Sequence, residues 1–167
     1  MRVKTEKKKL SSSIEDYLES IYVLGQSNGA VRVKDISGRM KVSMPSVHQA
    51  LHILSDGGLI NHENYGYIEL TDKGRKEGKK IYQSHKMLVK FFTEILDVPL
   101  PHAEEDACKI EHDISSETLE RLVSFIDFVE SYPHKKGPDW LKSFKYFHKT
   151  GKRPKECDGR IKEKLKK

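Results

Sequence analysis

Apolar residues recur along the first third of the chain with the period of helices that bury one face. Ile14, Tyr17, Leu18, Ile21 and Tyr22 follow Ser11-Ser12-Ser13, whose hydroxyls can cap the first amides. This predicts a helix from about residue 12 to 26, ended by Ser27-Asn28-Gly29. Val33-Lys34-Asp35-Ile36 leads into a short second helix with Ile36 and Met40 turned inward. Val42-Ser43-Met44-Pro45 then supplies a turn, a capping hydroxyl and a proline in the first helical turn, where its missing amide hydrogen costs little. In the third helix Val47, Ala50, Leu51 and Leu54 form the apolar stripe. Ser46, His48, Gln49 and His52 lie mostly off it, and Gly57-Gly58 stops the helix.

Residues 59–70 alternate around an Asn/Tyr/Gly turn, the pattern of a small hairpin. Three helices, the second and third joined by a tight turn, followed by a two-stranded ribbon, describe a winged helix-turn-helix DNA-binding domain at residues 10–75. A long helix is expected from Thr71 to Leu96, switching from a polar stretch at Lys73 to Lys80 to the apolar set Leu88, Phe91, Phe92 and Ile95. Asp97-Val98-Pro99-Leu100-Pro101 breaks it. A helix around Ala103 to Ile114 and another carrying Leu119, Leu122, Val123, Ile126 and Val129 follow. The fold class is therefore mostly α, with the winged domain followed by an α-helical domain at 76–148. Helices of this length cannot bury every apolar face, so Phe92 and Phe125 are expected either against a partner subunit or in packing within the chain.

Charge changes this picture chiefly at the ends. The 167 residues carry a formal charge of +6, but residues 1–9 hold +4 and residues 150–167 hold +5, leaving the body at −3. Basic tails at 1–9 and 149–167 are expected, and any DNA-facing basic patch on the body must be local. No apolar run approaches the roughly 20 residues a bilayer requires, and MRVKTEKKKL lacks the apolar centre of a signal peptide. A cytoplasmic protein without a membrane partner is expected. Two cysteines, Cys108 and Cys157, cannot build a disulfide framework.

The residues with most chemical content are Cys108-Lys109-Ile110-Glu111-His112. On a helix, Cys108, Glu111 and His112 stand at i, i+3 and i+4 and face one way. A thiolate, a carboxylate and an imidazole on one stripe offer soft, hard and intermediate donors to a metal; the other reading is a small cysteine beside a solvated Glu-His pair. Asp16 and Glu19 sit three apart on the first helix, and His85 stands alone on the long one; on spacing alone, carboxylates so placed are usually solvated charges and a lone histidine is more often a surface or packed residue than a ligand. No HExxH, paired CxxC, phosphate-binding glycine loop or nucleophile elbow occurs, so an enzyme is not expected.

Glu15-Asp16-Tyr17-Leu18-Glu19-Ser20-Ile21-Tyr22, Leu70-Thr71-Asp72-Lys73-Gly74, His85 and Cys108-Lys109-Ile110-Glu111-His112, in that order, resemble the metal-dependent repressors that include the diphtheria toxin repressor and the manganese transport regulator. The resemblance spans roughly Ser13 to Phe147 and is closest to the short, two-domain manganese-regulator type. It implies a homodimeric, metal-dependent transcriptional regulator that represses manganese or iron uptake genes when Mn2+ or Fe2+ binds. It also implies that Asp16, Glu19, His85, Glu111 and His112 are metal ligands, with two nearby ions able to share bridging carboxylates. Cys108 departs from the manganese branch, which usually has Glu there, and Asp16 departs from the iron branch, which usually has Met.

That hybrid leaves the ion open between manganese and iron, with Co2+ or Zn2+ able to substitute in vitro. Where the iron branch has a second-site Glu four residues after the histidine, this chain has Val89; Glu104 or Glu105 is a candidate replacement. The extra SH3-like domain of longer members of the resembled family is not expected here. Toward DNA, base contacts are expected from the exposed side of the third helix, where the resemblance matches Ser43, Pro45 and Gln49 to positions that contact DNA in the iron repressors, with Ser46 and His48 beside them. Arg32, Lys34, Arg39 and Lys41 are candidate phosphate contacts, and His62 and Tyr65 candidate wing contacts. The expected partner is a double-stranded, palindromic operator with half-sites ~34 Å apart or a small multiple of that. A winged-helix regulator answering another signal, such as oxidation of Cys108, is the alternative.

Overall fold

The first turn after the serine run is closed by backbone: the Ser11 carbonyl accepts from the amides of Ile14 and Glu15 at 2.9 and 3.0 Å. A computed structural model of the chain describes residues 10–28, 30–62, 66–132 and 139–154. It divides into two units, Met1–His85 and Lys86–Lys167.

In the first unit, α1 (Ser12–Asn28), α2 (Val33–Met40) and α3 (Met44–Asp56) precede a hairpin of β1 (Ile60–His62) and β2 (Ile68–Leu70). The strands are antiparallel, with Ile60 opposite Leu70 and His62 opposite Ile68. Val31 adds an isolated bridge to Ile68, so β2 is flanked on both sides. The core draws Ile14, Tyr17, Leu18 and Ile21 from α1, Ile36 from α2, and Val47, Ala50, Leu51 and Leu54 from α3. The hairpin closes it with Ile60 and Ile68. These are the stripes that helical and strand periodicity select.

Local chemistry sets the turns. Lys41 ends α2 in the left-handed region (φ 55°), and the Val42 amide returns to the Ser37 carbonyl at 3.2 Å. The Ser37 hydroxyl in turn donates to the Val42 carbonyl at 2.6 Å, tightening the corner between α2 and α3. Ser43 caps α3, its Oγ accepting from the Ser46 amide, with Pro45 in the first turn.

The chain continues through α4 (Asp72–Lys90). Gly74 is required at its start: a Cβ there would lie 1.8 Å from the Leu59 carbonyl oxygen. Gly78 likewise brings the helix close to Tyr22 and Leu18 of α1. The expected long helix is not continuous α-helix to Leu96. After Lys90 the chain widens into a π-helical turn, Phe91–Ile95, in which the Leu96 amide donates to the Phe91 carbonyl at 3.3 Å and that of Val98 to Phe92 at 3.0 Å. The Thr93 hydroxyl, bonded to the Val89 carbonyl at 2.9 Å, competes with the regular ladder at this point.

In the second unit α5 spans Leu100–Ile110, α6 spans Ser116–Glu130 and α7 spans Asp139–Thr150. Helix α5 begins earlier than its apolar pattern suggests, because Pro101 falls in the first turn, where no amide partner is needed. Periodicity up to Val129 missed α7, whose Trp140, Leu141 and Phe144 do carry a helical spacing. Ile95, Val129 and Leu141 form a small core, with Phe91, Leu96 and Phe125 packed on it. Phe92 and Phe125 are half-buried. Phe125 packs within the chain, 6.3 Å from the Phe91 ring and 5.9 Å from Trp140. Among the described residues, the large exposed apolar groups of this unit are instead Phe128, Tyr132, Trp140, Phe144, Tyr146 and Phe147, with Leu100 and Ile110. No described helix is long and apolar enough to cross a membrane.

Candidate metal centre and DNA-binding face

Each unit assembles its own set of donor side chains. In the first, Asp16 and Glu19 are half-buried on α1, one turn apart, because Ile14, Tyr17, Leu18 and Ile21 occupy the inward stripe beside them. His85 is half-buried on α4, and a ring nitrogen of His85 and a carboxylate oxygen of Glu19 lie within 4.8 Å of each other. Two positions 66 residues apart in sequence are thus matched by the packing of α4 on α1.

In the second unit the stripe is modified at its end. Helix α5 stops at Ile110, and Glu111 and His112 stand in the turn that follows rather than on the helix proper. Glu111 keeps helical dihedrals, its amide donating to the Ala107 carbonyl at 2.9 Å, so Cys108 Sγ and a Glu111 carboxylate oxygen still come within 4.8 Å. Cys108 is exposed, whereas Glu111 and His112 are each only 8% exposed. His112 Nε2 and Glu111 Oε1 are 3.5 Å apart. A buried carboxylate is costly unless cations or hydrogen bonds compensate it, so a buried Glu-His pair beside a thiol suits a divalent cation better than it suits plain packing. The donors present therefore fit a metal.

Glu104 and Glu105 are exposed on α5. The Lys109 ammonium, 2.6 Å away, holds the Glu105 carboxyl below its ordinary range. Cys157, Tyr65 and both basic tails as far as 1–9 and 155–167 lie outside the described residues.

The outer surface of α3 is polar as expected: Ser43, Pro45, Ser46, His48, Gln49 and His52 are exposed, and so are Met44 and Ile53. Lys34, Arg39 and Lys41 are exposed on and after α2. Arg32 differs from these lysines and arginines, since its guanidinium donates to the Tyr67 hydroxyl at 2.7 Å. Sequence reasoning missed Tyr67; the available signal was the alternation that makes Ile68 inward and its neighbour outward.

Two family models match this chain in tandem. One, described as the iron dependent repressor N-terminal DNA binding domain, covers residues 9–68; the other, the iron dependent repressor metal binding and dimerisation domain, covers residues 71–138. An uncharacterized HTH-type transcriptional regulator of Methanocaldococcus jannaschii is 38% identical over 119 residues, 71% of this chain and 95% of that protein. The HTH-type transcriptional regulator MntR of Listeria monocytogenes is 33% identical over 144 residues, covering 86% and 97%.

The chain belongs to the iron-dependent repressor family.

As a member it is a metal-dependent transcriptional regulator with a DNA-binding domain and a metal-binding, dimerising one. Among solved structures, the manganese regulator SloR superposes with a TM-score of 0.62 at 29% identity, over 69% of this chain and 54% of that one. The metal-dependent transcriptional regulator MtsR gives 0.65 at 26% identity, over 71% and 55%. The chain thus spans about half the length of those two solved proteins.

Proposed function

We propose that this family member represses genes for manganese or iron uptake, with Mn2+ or Fe2+ as the signal and Asp16, Glu19, His85, Cys108, Glu111 and His112 as the ligands, for one or two ions per subunit. The observation that carries this reading is the buried Glu111-His112 pair, supported by the Glu19-His85 and Cys108-Glu111 proximities within each unit. Carboxylates and imidazoles suit manganese and ferrous iron, while the Cys108 thiolate moves preference toward ferrous iron, cobalt or zinc. When bound, an ion supplies positive charge that offsets the cost of a buried carboxylate such as Glu111 and of neighbouring carboxylates such as Asp16 and Glu19.

Toward DNA, Ser43, Pro45, Ser46, His48 and Gln49 read base edges from α3. Glutamine is suited to bidentate pairing with adenine, and Lys34 and Arg39 are suited to phosphates. A homodimer presents two such helices, so the operator is palindromic with half-sites ~34 Å apart or a small multiple of that.

The test is binding of the full chain to duplexes selected from a random pool, with MnCl2, with anaerobic FeSO4 and with chelator. Metal should tighten binding by about 5- to 150-fold, the usual range of coupling between two sites, and Glu111→Ala should abolish that gain. Equal affinity with metal and with chelator overturns the proposal.

A further inference from the structure

Arg32 and Tyr67 are neighbours in a small sheet. Val31 and Ile68 form an antiparallel bridge, the Ile68 amide donating to the Val31 carbonyl at 2.8 Å, and both side chains are buried. Antiparallel pairing places the next residue of one segment opposite the preceding residue of the other, and strand alternation turns that second pair to the outer face. The second pair is Arg32 and Tyr67. Arg32 Nη2 donates to Tyr67 Oη at 2.7 Å, and its guanidinium carbon lies 4.8 Å from the ring centroid. The backbone of Arg32 is fixed as well: its amide donates to Asp35 Oδ2 at 3.0 Å, and its carbonyl accepts from the Asp35 amide at 2.9 Å as α2 begins. One side chain therefore joins the start of the helix-turn-helix to the residue that leads into β2.

We propose that Arg32 is a positioning residue for the wing: paired with Tyr67, it fixes β2 against the start of α2, so that wing and α3 meet DNA in one relative orientation. Arg32 is then not itself a phosphate contact, unlike Lys34 and Arg39. A guanidinium that both hydrogen-bonds a phenol and lies over its ring has lost much of its freedom to follow a phosphate, and an oriented wing lowers the ordering cost of binding. This inference rests on the DNA-binding reading above.

Two measurements on the full chain separate the two ideas. Without DNA, amide hydrogen exchange at Ile68 should speed up by about two- to fivefold in Arg32→Ala and in Tyr67→Ala, the range of an exposed cation–π contact. The double variant should exceed neither single one by more than experimental scatter, because both remove the same contact. Unchanged exchange in both single variants, or additive effects in the double one, overturns the proposal.

With MnCl2 and a duplex selected from a random pool, Arg32→Ala should weaken binding by a similar factor while leaving the slope of log affinity against log salt unchanged. A slope shallower by about 0.9 would make Arg32 a phosphate contact and overturn the positioning role. Tyr67→Phe keeps every charge and should still weaken binding, which a pure charge contact at Arg32 does not predict. Failure of the wild-type chain to bind any duplex sinks the DNA reading instead, and the exchange result alone then decides whether Arg32 holds the wing.

Discussion

The two units differ in how completely they cover their own apolar residues. The first buries Leu18, Ile21, Ile36, Val47, Leu51 and Leu54 at 2% exposure or less, around a core to which all three short helices and both strands contribute. The second gathers Ile95, Val129 and Leu141 into a small cluster, while Phe128 stays 55% and Phe147 47% exposed. A unit that closes on itself can present its polar α3 surface to DNA without a partner. A unit left with several exposed aromatic rings has surface to bury against a second copy, in keeping with the dimerising domain of its family. The better-covered core thus lies in the first unit with the DNA-binding domain, and the exposed rings lie in the second.

That contrast breaks most severely at Gly74. Alanine there would collide with the Leu59 backbone, and backbone cannot rotate away as a side-chain tip can. Gly74→Ala should destabilise the first unit more than Leu54→Ala, itself expected to cost about 2–5 kcal/mol as a fully buried leucine. Urea denaturation followed by circular dichroism measures both, and a Gly74→Ala protein as stable as wild type would contradict the close approach.

In the second unit a large exposed ring should matter to assembly rather than to folding. Phe128→Ser should shift the dimer toward monomer in sedimentation velocity, by about 1–2 kcal/mol per subunit contact, with little change in helical content. Loss of folding with no change in assembly would reverse the assignment.

Back in the first unit, Gly38 shows what an unconstrained helical glycine does: a Cβ there meets nothing within 4 Å. Gly38→Ala should stabilise by about 0.4–1 kcal/mol, seen as a rise in the urea midpoint.

The smallest effect is expected at Asp97, a left-handed residue (φ 62°) bound by Lys149 at 3.2 Å and Lys145 at 3.6 Å. Lys149 above all holds its carboxyl below the usual range. A depressed carboxylate contributes stability that is present above its unfolded pKa and lost as pH falls through the folded value. Acid titration should therefore loosen α7 slightly, read as faster amide exchange in Lys145 to Lys149. Asp97→Asn, which tolerates the same backbone, should remove the pH dependence. An Asn variant that still loosens with acid would place the titrating group elsewhere.

How much of this was legible beforehand follows from the range of each interaction. The stripes of α1 and α3, the Ser43-Pro45 start, the Gly57-Gly58 stop and the alternation of the hairpin are set by residues within a few positions of one another, and the first domain was readable from them. In the second domain scattered aromatics weaken the period, so α7 went unseen, and of the two surroundings open to Phe125, a partner subunit or its own chain, packing on Phe91 and Trp140 within the chain is the one observed. The donor residues were nameable by type, and Cys108 and Glu111 by spacing. Nothing local announced that Glu111 and His112 would sit beyond the end of α5, or that the pair would be buried.

The chain's own order of residues determined which faces are apolar, where the helices of the first domain start and stop, and which side chains carry donor groups, because capping, turn geometry and periodicity act over one or two turns of backbone. Only the tertiary structure decided that His85 comes beside Glu19, that Gly74 leaves room for the Leu59 carbonyl, and that Arg32 is engaged by Tyr67. Those meetings join positions 15 to 66 residues apart, and their geometry depends on how whole elements pack rather than on any neighbouring sequence.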